Sequence, residues 1–433
     1  MKYLLAALAL ALSAPLPATA AAIAGHWNGT MVEKGQALAV SFDLGEADGR
    51  FTSPSQRAMD YPLDEVHAKK GAIGFTLGGG IVFEGRLGRD TIAGTFKDGN
   101  GGGTFMLARA AEPVLPYAVQ DVSFRNGGVE LKGTLCLPRG PGRHGAVVLV
   151  HGSGPETRWG TSRYIADRLA RAGLAALIYD KRGSGASGGD WRTASFEDLA
   201  RDALAGVGLL DARSDIDPAR VGIHGHSQGG VIGPLAATLA PDKIAFVVAE
   251  DTFAGPQYAQ DLYRVRLAIK ELELTAADEA KAMEIYALFV DASRGARTYE
   301  AFEKASAPYR ETAWYKWMEF PPRDSWVWAW AAKTADFDTL PVWRKVRVPV
   351  LLIYGEKDAL VPPDESIAEI GSELARSNTP YAAFIVPGAV HNLTIQPDPK
   401  GPFFWWHQAP GVVDTVVDWI GARAGQPSMT AEH

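Results

Sequence analysis

Six short runs, apolar at nearly every position, constrain the fold of this chain more than any other feature: "AVVLVHG", "AALIYD", "RVGIHG", "AFVVAED", "VPVLLIYG" and "YAAFIVPG". A strand with one wet face alternates apolar and polar residues. A run that is apolar on both faces belongs to a parallel sheet covered by helices above and below. Helical stretches separate the runs. One begins at about Phe196, after Ser195 with Asp198 three residues on, a capping-box-like start. Its apolar residues Phe196, Leu199, Ala203, Val207 and Leu210 recur at helical spacing. The alternation predicts an α/β architecture with a mostly parallel central sheet and helices on both faces.

Other regions obey a different grammar. From about Gly25 to Arg109 the chain holds short alternating segments and glycine turns, including "DTIAGTF" and "GTFMLAR" joined by "KDGNGGG", a hairpin pattern. This region, residues 25–110, predicts a small all-β domain, a barrel or a sandwich, and "AEPVLP" (111–116) reads as the linker after it. The second domain is placed at residues 117–424 and opens with a hairpin around Asn126-Gly127. Within it, about ninety residues separate "AFVVAED" from "VPVLLIYG", too many for a simple crossover. Three helix-like segments there predict a helical lid insertion at about residues 253–342, over the strand ends where open α/β sheets bind ligands.

Residues 1–20 carry the signature of an export signal. Lys2 precedes the apolar "YLLAALALAL", which is too short to span a bilayer, and Ala18-Thr19-Ala20 fits a small-residue cleavage site. The mature chain is therefore expected in the periplasm or outside the cell. No later segment approaches 18 uninterrupted apolar residues, so no membrane span is expected after removal of the signal. The formal charge of −7 and the scattered basic residues give no footprint for nucleic acid. Cys136 is the single cysteine, which rules out an intramolecular disulfide. It lies in the strand-like "VELKGTLCLP" and reads as a packed, inert thiol.

The chemistry centres on "RVGIHGHSQGG", where a G-x-S-x-G pattern falls between a strand and a helix. In a nucleophile elbow the serine, here Ser227, sits on a strained turn, and Gly225 and Gly229 leave room for it. His226 is adjacent to Ser227, but neighbouring side chains diverge at so sharp a turn. His224 and His226 form an H-x-H pair without a matching set of further ligands, so no metal is expected. The better base is His391, just past the last apolar run. Asp358, in the turn after "VPVLLIYG", is the preferred acid, with Glu356 and Asp364 as local rivals. The order Ser227, Asp358, His391 suits a nucleophile, an orienting acid and a base. An oxyanion hole is expected from the backbone N–H groups of Ser153, in "HGSG" after another apolar run, and of Gln228.

With these parts in place the chain resembles the α/β-hydrolase superfamily, and within it bacterial serine hydrolases of the serine-aminopeptidase-like or prolyl-oligopeptidase-like type. The residues carrying the resemblance are "HGSGP" (151–155), "YDKRGSGASGG" (179–189), "GHSQGG" (225–230), "YGEKDALVPP" (354–363) and "VH" (390–391). The resemblance implies an α/β-hydrolase fold and hydrolysis through an acyl-enzyme on a Ser-His-Asp triad. Relatives with an aspartate at the elbow are excluded by Ser227. A propeller-gated oligopeptidase is not expected either, since the about ninety residues before the hydrolase are too few for even a small propeller. Gly183, Gly185 and Gly188 match G-x-G-x-x-G, yet no helix opens there and no acid follows at the right distance, so no dinucleotide cofactor is expected.

Substrate is the least constrained reading. The lid stretch "WYKWMEFPPRDSWVWAW" offers Trp314, Trp317, Trp326 and Trp328 as an acyl-binding wall, with Trp330 nearby and Trp405 and Trp406 after the base. Packing is the alternative use of such a cluster. No evident acidic cluster in the lid would anchor a free amino group. The reading favours an exported esterase acting on small-molecule carboxylic esters. An aminopeptidase or acyl-peptide hydrolase on the same residues remains open, as does a non-catalytic envelope binding protein.

Overall fold

The computed structural model describes residues 23–99, 101–396 and 406–424. The proposed signal segment and Trp405 lie outside these residues. Two compact units are present, one ending at Val114 and the other beginning at Leu115.

The first unit is a closed antiparallel barrel of eight strands, from β1 (Gly25–Glu33) to β8 (Gly101–Ala110). Each strand pairs with the next, and closure comes from the pairing of β1 with β8, His26 opposite Ala110 through Val32 opposite Thr104. That long-range register makes the region a barrel rather than a sandwich. Inward positions alternate with outward ones, and the interior is filled by phenylalanines. Phe75 and Phe83 stack at 4.7 Å, Phe42 lies 5.2 Å from Phe75, and Phe105 meets Phe83 edge-on at 5.4 Å. Trp27 is fully buried, with its indole N–H donated to the Ile23 carbonyl. The "GHWNGTM" strand thus contributes to a packed core.

The second unit is built on an eight-stranded sheet. Its strands are β9 (Tyr117–Asn126), β10 (Val129–Pro138), β11 (His144–Val150), β12 (Ala175–Tyr179), β13 (Ile216–His226), β14 (Val247–Glu250), β15 (Val350–Gly355) and β16 (Tyr381–Val386). Their order across the sheet is β16-β15-β14-β13-β11-β12-β10-β9. The hairpin β9–β10 is antiparallel and joins β12 antiparallel; the remaining neighbours are parallel. All six apolar runs are strands of this sheet.

Alternation along β11 explains the two-sided burial. Val148 and Val150 face helices α2 (Phe196–Asp211) and α3 (Gln228–Leu239), whereas Val147 and Leu149 face the other layer. That layer contains α1 (Thr161–Arg171) and the last described helix, α11 (Val412–Arg423). Helix α2 opens with the capping box expected from Ser195 and Asp198. From β11 the chain passes to β12 on one side, then crosses to β13 on the other. This reversal makes a crevice at the carboxyl ends of β11 and β13, the usual ligand position in open α/β sheets.

The lid lies between β14 and β15. It comprises α4 (Gln257–Lys270), α5 (Ala276–Ser293), α6 (Tyr299–Ser306), α7 (Ala313–Met318), α8 (Trp326–Thr334) and the short α9 (Leu340–Trp343). Its incoming and outgoing chains run side by side, with Gln257 N–H bonded to Phe337 O and Tyr258 N–H to Ala335 O. A separate core of Val265, Ile269, Ile285, Val290, Phe302 and Trp314 holds the lid together. Gln260 donates to the Leu360 carbonyl at 2.9 Å, which ties the lid to the loop after β15. Among the described residues no helix is long and apolar enough to cross a membrane.

Candidate active site

Every chemically promising residue follows the carboxyl end of a parallel strand. Ser153 follows β11, Ser227 follows β13, Asp358 follows β15 and His391 follows β16. The parallel register aligns these ends, with Val150 beside Gly225 and Gly225 beside Ala249.

Ser227 occupies the turn between β13 and α3 with φ 53° and ψ −116°. This is a conformation that a residue with a Cβ adopts only under constraint. The constraint comes from both sides: Ser227 N–H donates to Glu250 O at 2.8 Å and Gly230 N–H to Ser227 O at 2.9 Å. A Cβ on Gly225 would lie 2.0 Å from the carbonyl oxygen of Gly229, and one on Gly229 would lie 2.2 Å from that of Val150. Both glycines are therefore imposed by backbone packed against backbone. The glycine loop after β11 abuts the serine, since a Cβ on Gly152 would sit 3.6 Å from Ser227 Cβ.

His391 donates from Nδ1 to Asp358 Oδ2 at 2.8 Å, which leaves Nε2 as the unprotonated ring nitrogen of the neutral form. The other oxygen of Asp358 accepts from Leu360 N–H at 2.7 Å and Val361 N–H at 3.0 Å. The carboxylate is thus fixed by its own turn. Burial acts to depress the His391 pKa, but the hydrogen bond and charge of Asp358, with Asp251 and Glu250 behind, outweigh it and raise it above the ordinary value. The rivals of Asp358 are engaged elsewhere. Glu356 accepts from Gly388 N–H at 2.7 Å, and Asp364 lies in the first turn of α10 (Pro363–Arg376).

The H-x-H pair divides between two tasks. His224 is buried and within 3.1 Å of Glu250 through Nε2. His226 lies beside the ring of His391, with centroids 5.1 Å apart, and its Nε2 is 4.0 Å from Asp251 Oδ2.

Asp251 was missed by sequence reasoning. It follows β14, is fully buried and holds φ 48°. One oxygen accepts from Gly355 N–H at 2.9 Å and the other from Asn392 N–H at 3.1 Å, so it ties the start of the acid loop to the residue after His391. Burial first, and the negative charge of Asp358, push its pKa up, against the opposing pull of His391. The signal in the sequence was a pair of acids, Glu250-Asp251, ending an apolar strand at the ligand edge. Asp251, Asp358 and His391 bring one ligand atom each within 4.8 Å of one another. A cation there would meet the N–H groups of Gly355 and Asn392 already directed at Asp251.

The glycine loop at residues 183–189 encloses an anion of its own. Asp180 accepts from Arg158 N–H and Ala186 N–H, both at 3.0 Å, and a Cβ on Gly185 would lie 2.6 Å from its carboxylate. No α-helix begins until Phe196.

The lid tryptophans separate by environment. Trp314 is buried in the lid core near Tyr309, and Trp328 packs on Tyr299 and Phe289 while its indole N–H donates to Pro322 O. Trp326 is exposed and meets Trp191 edge-on at 4.9 Å. Only Trp317 of the four, together with Trp330, lines a lid cavity of about 630 Å³. Asp261, Arg264 and Glu319 line that cavity too, so the lid does bring carboxylates from separate segments to one cleft.

The family model described as serine aminopeptidase, S33 matches residues 141–398, more than half of the chain. The chain belongs to the serine aminopeptidase S33 family. Similarity extends to the esterase EstD of Thermotoga maritima, 26% identical over 337 residues, 73% of this chain and 72% of that protein. A puromycin-hydrolysing peptidase of Mycobacterium tuberculosis aligns with 93% of this chain and 54% of its own, at 18% identity and a TM-score of 0.49. Est1E from Butyrivibrio proteoclasticus aligns over 71% of this chain and 99% of its own, at 15% identity and a TM-score of 0.44. As a member of the S33 family with a relative named as an esterase, the protein is a serine hydrolase with an α/β-hydrolase fold.

Proposed function

We propose that this protein is an exported carboxylesterase that uses Ser227, His391 and Asp358 as a triad. The observation carrying the reading is the 2.8 Å bond from His391 Nδ1 to Asp358, beside a serine held at φ 53° on an elbow. Asp358 fixes the tautomer, so Nε2 of His391 takes the Ser227 proton as Oγ attacks the ester carbonyl carbon. The tetrahedral oxyanion is received by the N–H groups of Ser153 and Gln228, each worth about 3 kcal/mol in the transition state. Collapse expels the alcohol with the proton from His391. Water then repeats the sequence on the acyl-enzyme and releases the acid. Export rests on the Lys2 and "YLLAALALAL" pattern, with the mature chain beginning near Ala21.

Peptide substrates form a second reading, for which Asp261 and Glu319 in the lid cavity offer carboxylates to an amino group; Arg264 lines the same cavity, and Ser227, Asp358 and His391 do not. Turnover of p-nitrophenyl esters against aminoacyl p-nitroanilides separates the two. Strong anilide turnover with negligible ester turnover refutes the esterase. A fluorophosphonate probe should label the wild type and not Ser227→Ala; absence of Ser227-dependent labelling would leave a non-catalytic binding protein.

A further inference from the structure

One buried charge beside this site has no task in the mechanism above. Lys181 follows β12 in "YDKRG" and is 4% exposed. Its ammonium donates to the Gly152 carbonyl at 2.8 Å and to the side-chain Oε1 of Gln228 at 2.7 Å. Those acceptors belong to separate elements, the glycine loop after β11 and the first residue of α3. They are also the two places from which oxyanion donors are drawn.

Peptide planarity gives the contact its consequence. In a trans peptide the C=O and the following N–H point in opposite directions across one plane. Holding the Gly152 carbonyl toward Lys181 therefore turns the Ser153 N–H away from Lys181. Gly152 itself abuts Ser227. A glycine-rich loop left to itself samples many orientations of that plane. An oxyanion hole works only when its donors are aimed before charge develops. The second bond, to the Gln228 side chain, anchors the residue whose backbone N–H is the other donor.

We propose that Lys181 is the positioning residue of the oxyanion hole, one ammonium that sets the aim of the Gly152–Ser153 donor peptide and anchors the side chain of Gln228, the residue carrying the other donor. The inference rests on the assignment of Ser153 and Gln228 as donors. Its surroundings suit the role. Burial lowers the Lys181 pKa to about 8, while Glu156 and Asp202 hold it up, so the ammonium persists at neutral pH. His151, beside it, is kept neutral, its pKa pushed down to about 3 by burial and by Lys181. The neighbouring Arg182 is clamped to Asp202 of α2 by bonds of 2.6 and 2.7 Å, which fixes the backbone from which Lys181 projects. The ammonium also polarises the Gly152–Ser153 peptide, strengthening its N–H as a donor.

The test compares Lys181→Met, Lys181→Arg and Gln228→Met with the wild type. Readouts are kcat, KM and affinity for a trifluoromethyl ketone analogue of the ester. Removing one oxyanion donor lowers kcat by about 10²–10³, so Lys181→Met should lose about 10²-fold in kcat and in analogue affinity together, with KM little changed. Lys181→Arg should recover most of that loss, and Gln228→Met should lose less than Lys181→Met on the same two readouts. A folded Lys181→Met with kcat and analogue affinity near wild type, or with its loss confined to KM, overturns the proposal. Should Lys181→Met not fold, unchanged kcat and analogue affinity in Gln228→Met overturn it instead. A wild type that no fluorophosphonate labels at Ser227 refutes the hydrolase mechanism and this inference with it; labelling with an indifferent Lys181→Met refutes the inference alone.

Discussion

Replacing Ser227 by glycine should leave a more stable protein than replacing it by alanine, both without activity. The residue holds φ 53° and ψ −116°. A side chain kept in such a sparsely populated region stores roughly 1–3 kcal/mol. At an unstrained position, alanine to glycine costs roughly 0.5–1 kcal/mol because the unfolded chain gains freedom. The strain outweighs that cost, so Ser227→Gly should exceed Ser227→Ala in stability by about 0.5–2 kcal/mol. Both variants lack the hydroxyl, so its loss cancels and the comparison isolates the backbone. Urea unfolding followed by tryptophan fluorescence reports mainly on the hydrolase unit, since Trp27 is the one tryptophan in the barrel strands. With an m-value near 3 kcal/mol/M, the midpoint of the glycine variant should lie several tenths of a molar higher. A glycine variant less stable than the alanine variant would refute strain at the elbow, whatever either variant does to turnover.

Four further outcomes follow from the same geometry. Asp358→Asn should lower kcat by about 10⁴, because the tautomer of His391 is lost, while Glu356→Gln and Asp364→Asn stay near wild type; damage from Asp364→Asn with a harmless Asp358→Asn would transfer the acid role. The acid limb of kcat/KM should lie above pH 6.5, because the Asp358 contact and charge raise His391 against burial and the base must lose its proton to act. A limb below that value in a pH titration would show that burial prevails. Gly229→Ala should fail to accumulate as folded protein, since its Cβ would lie 2.2 Å from the Val150 carbonyl; near-native circular dichroism and melting would contradict the packing. Phe83→Ala should cost the barrel about 3–5 kcal/mol by opening its ring cluster, read as faster amide exchange in the barrel strands.

How much was legible depended on the range of the interactions involved. The apolar runs announced a covered parallel sheet because burial on both faces leaves a local trace in every strand. The capping box of α2 was legible for the same reason, its partners standing three residues apart. The β-region was open between barrel and sandwich, since the choice lies in one pairing between β1 and β8, some eighty residues apart. Four tryptophans clustered in sequence went to different environments because helix rotation, invisible in a short motif, turns Trp314 and Trp328 into the lid core and Trp317 to the cavity. The absence of a lid acidic cluster is a statement about neighbours in sequence; Asp261 and Glu319, far apart in the chain, line one cavity only in the folded lid.

By itself the sequence determined the strand–turn–helix frame, the glycines around Ser227 and the order of serine, acid and histidine, all properties of short segments. Tertiary structure alone established the contact of Asp358 with His391, since Glu356 in the same loop turns to Gly388 N–H and Asp364 lies in the first turn of α10. It alone brought Asp251 under that histidine and Lys181 beneath the Gly152 peptide. Those contacts join strand ends far apart in the chain, and parallel register, not proximity in sequence, aligns them.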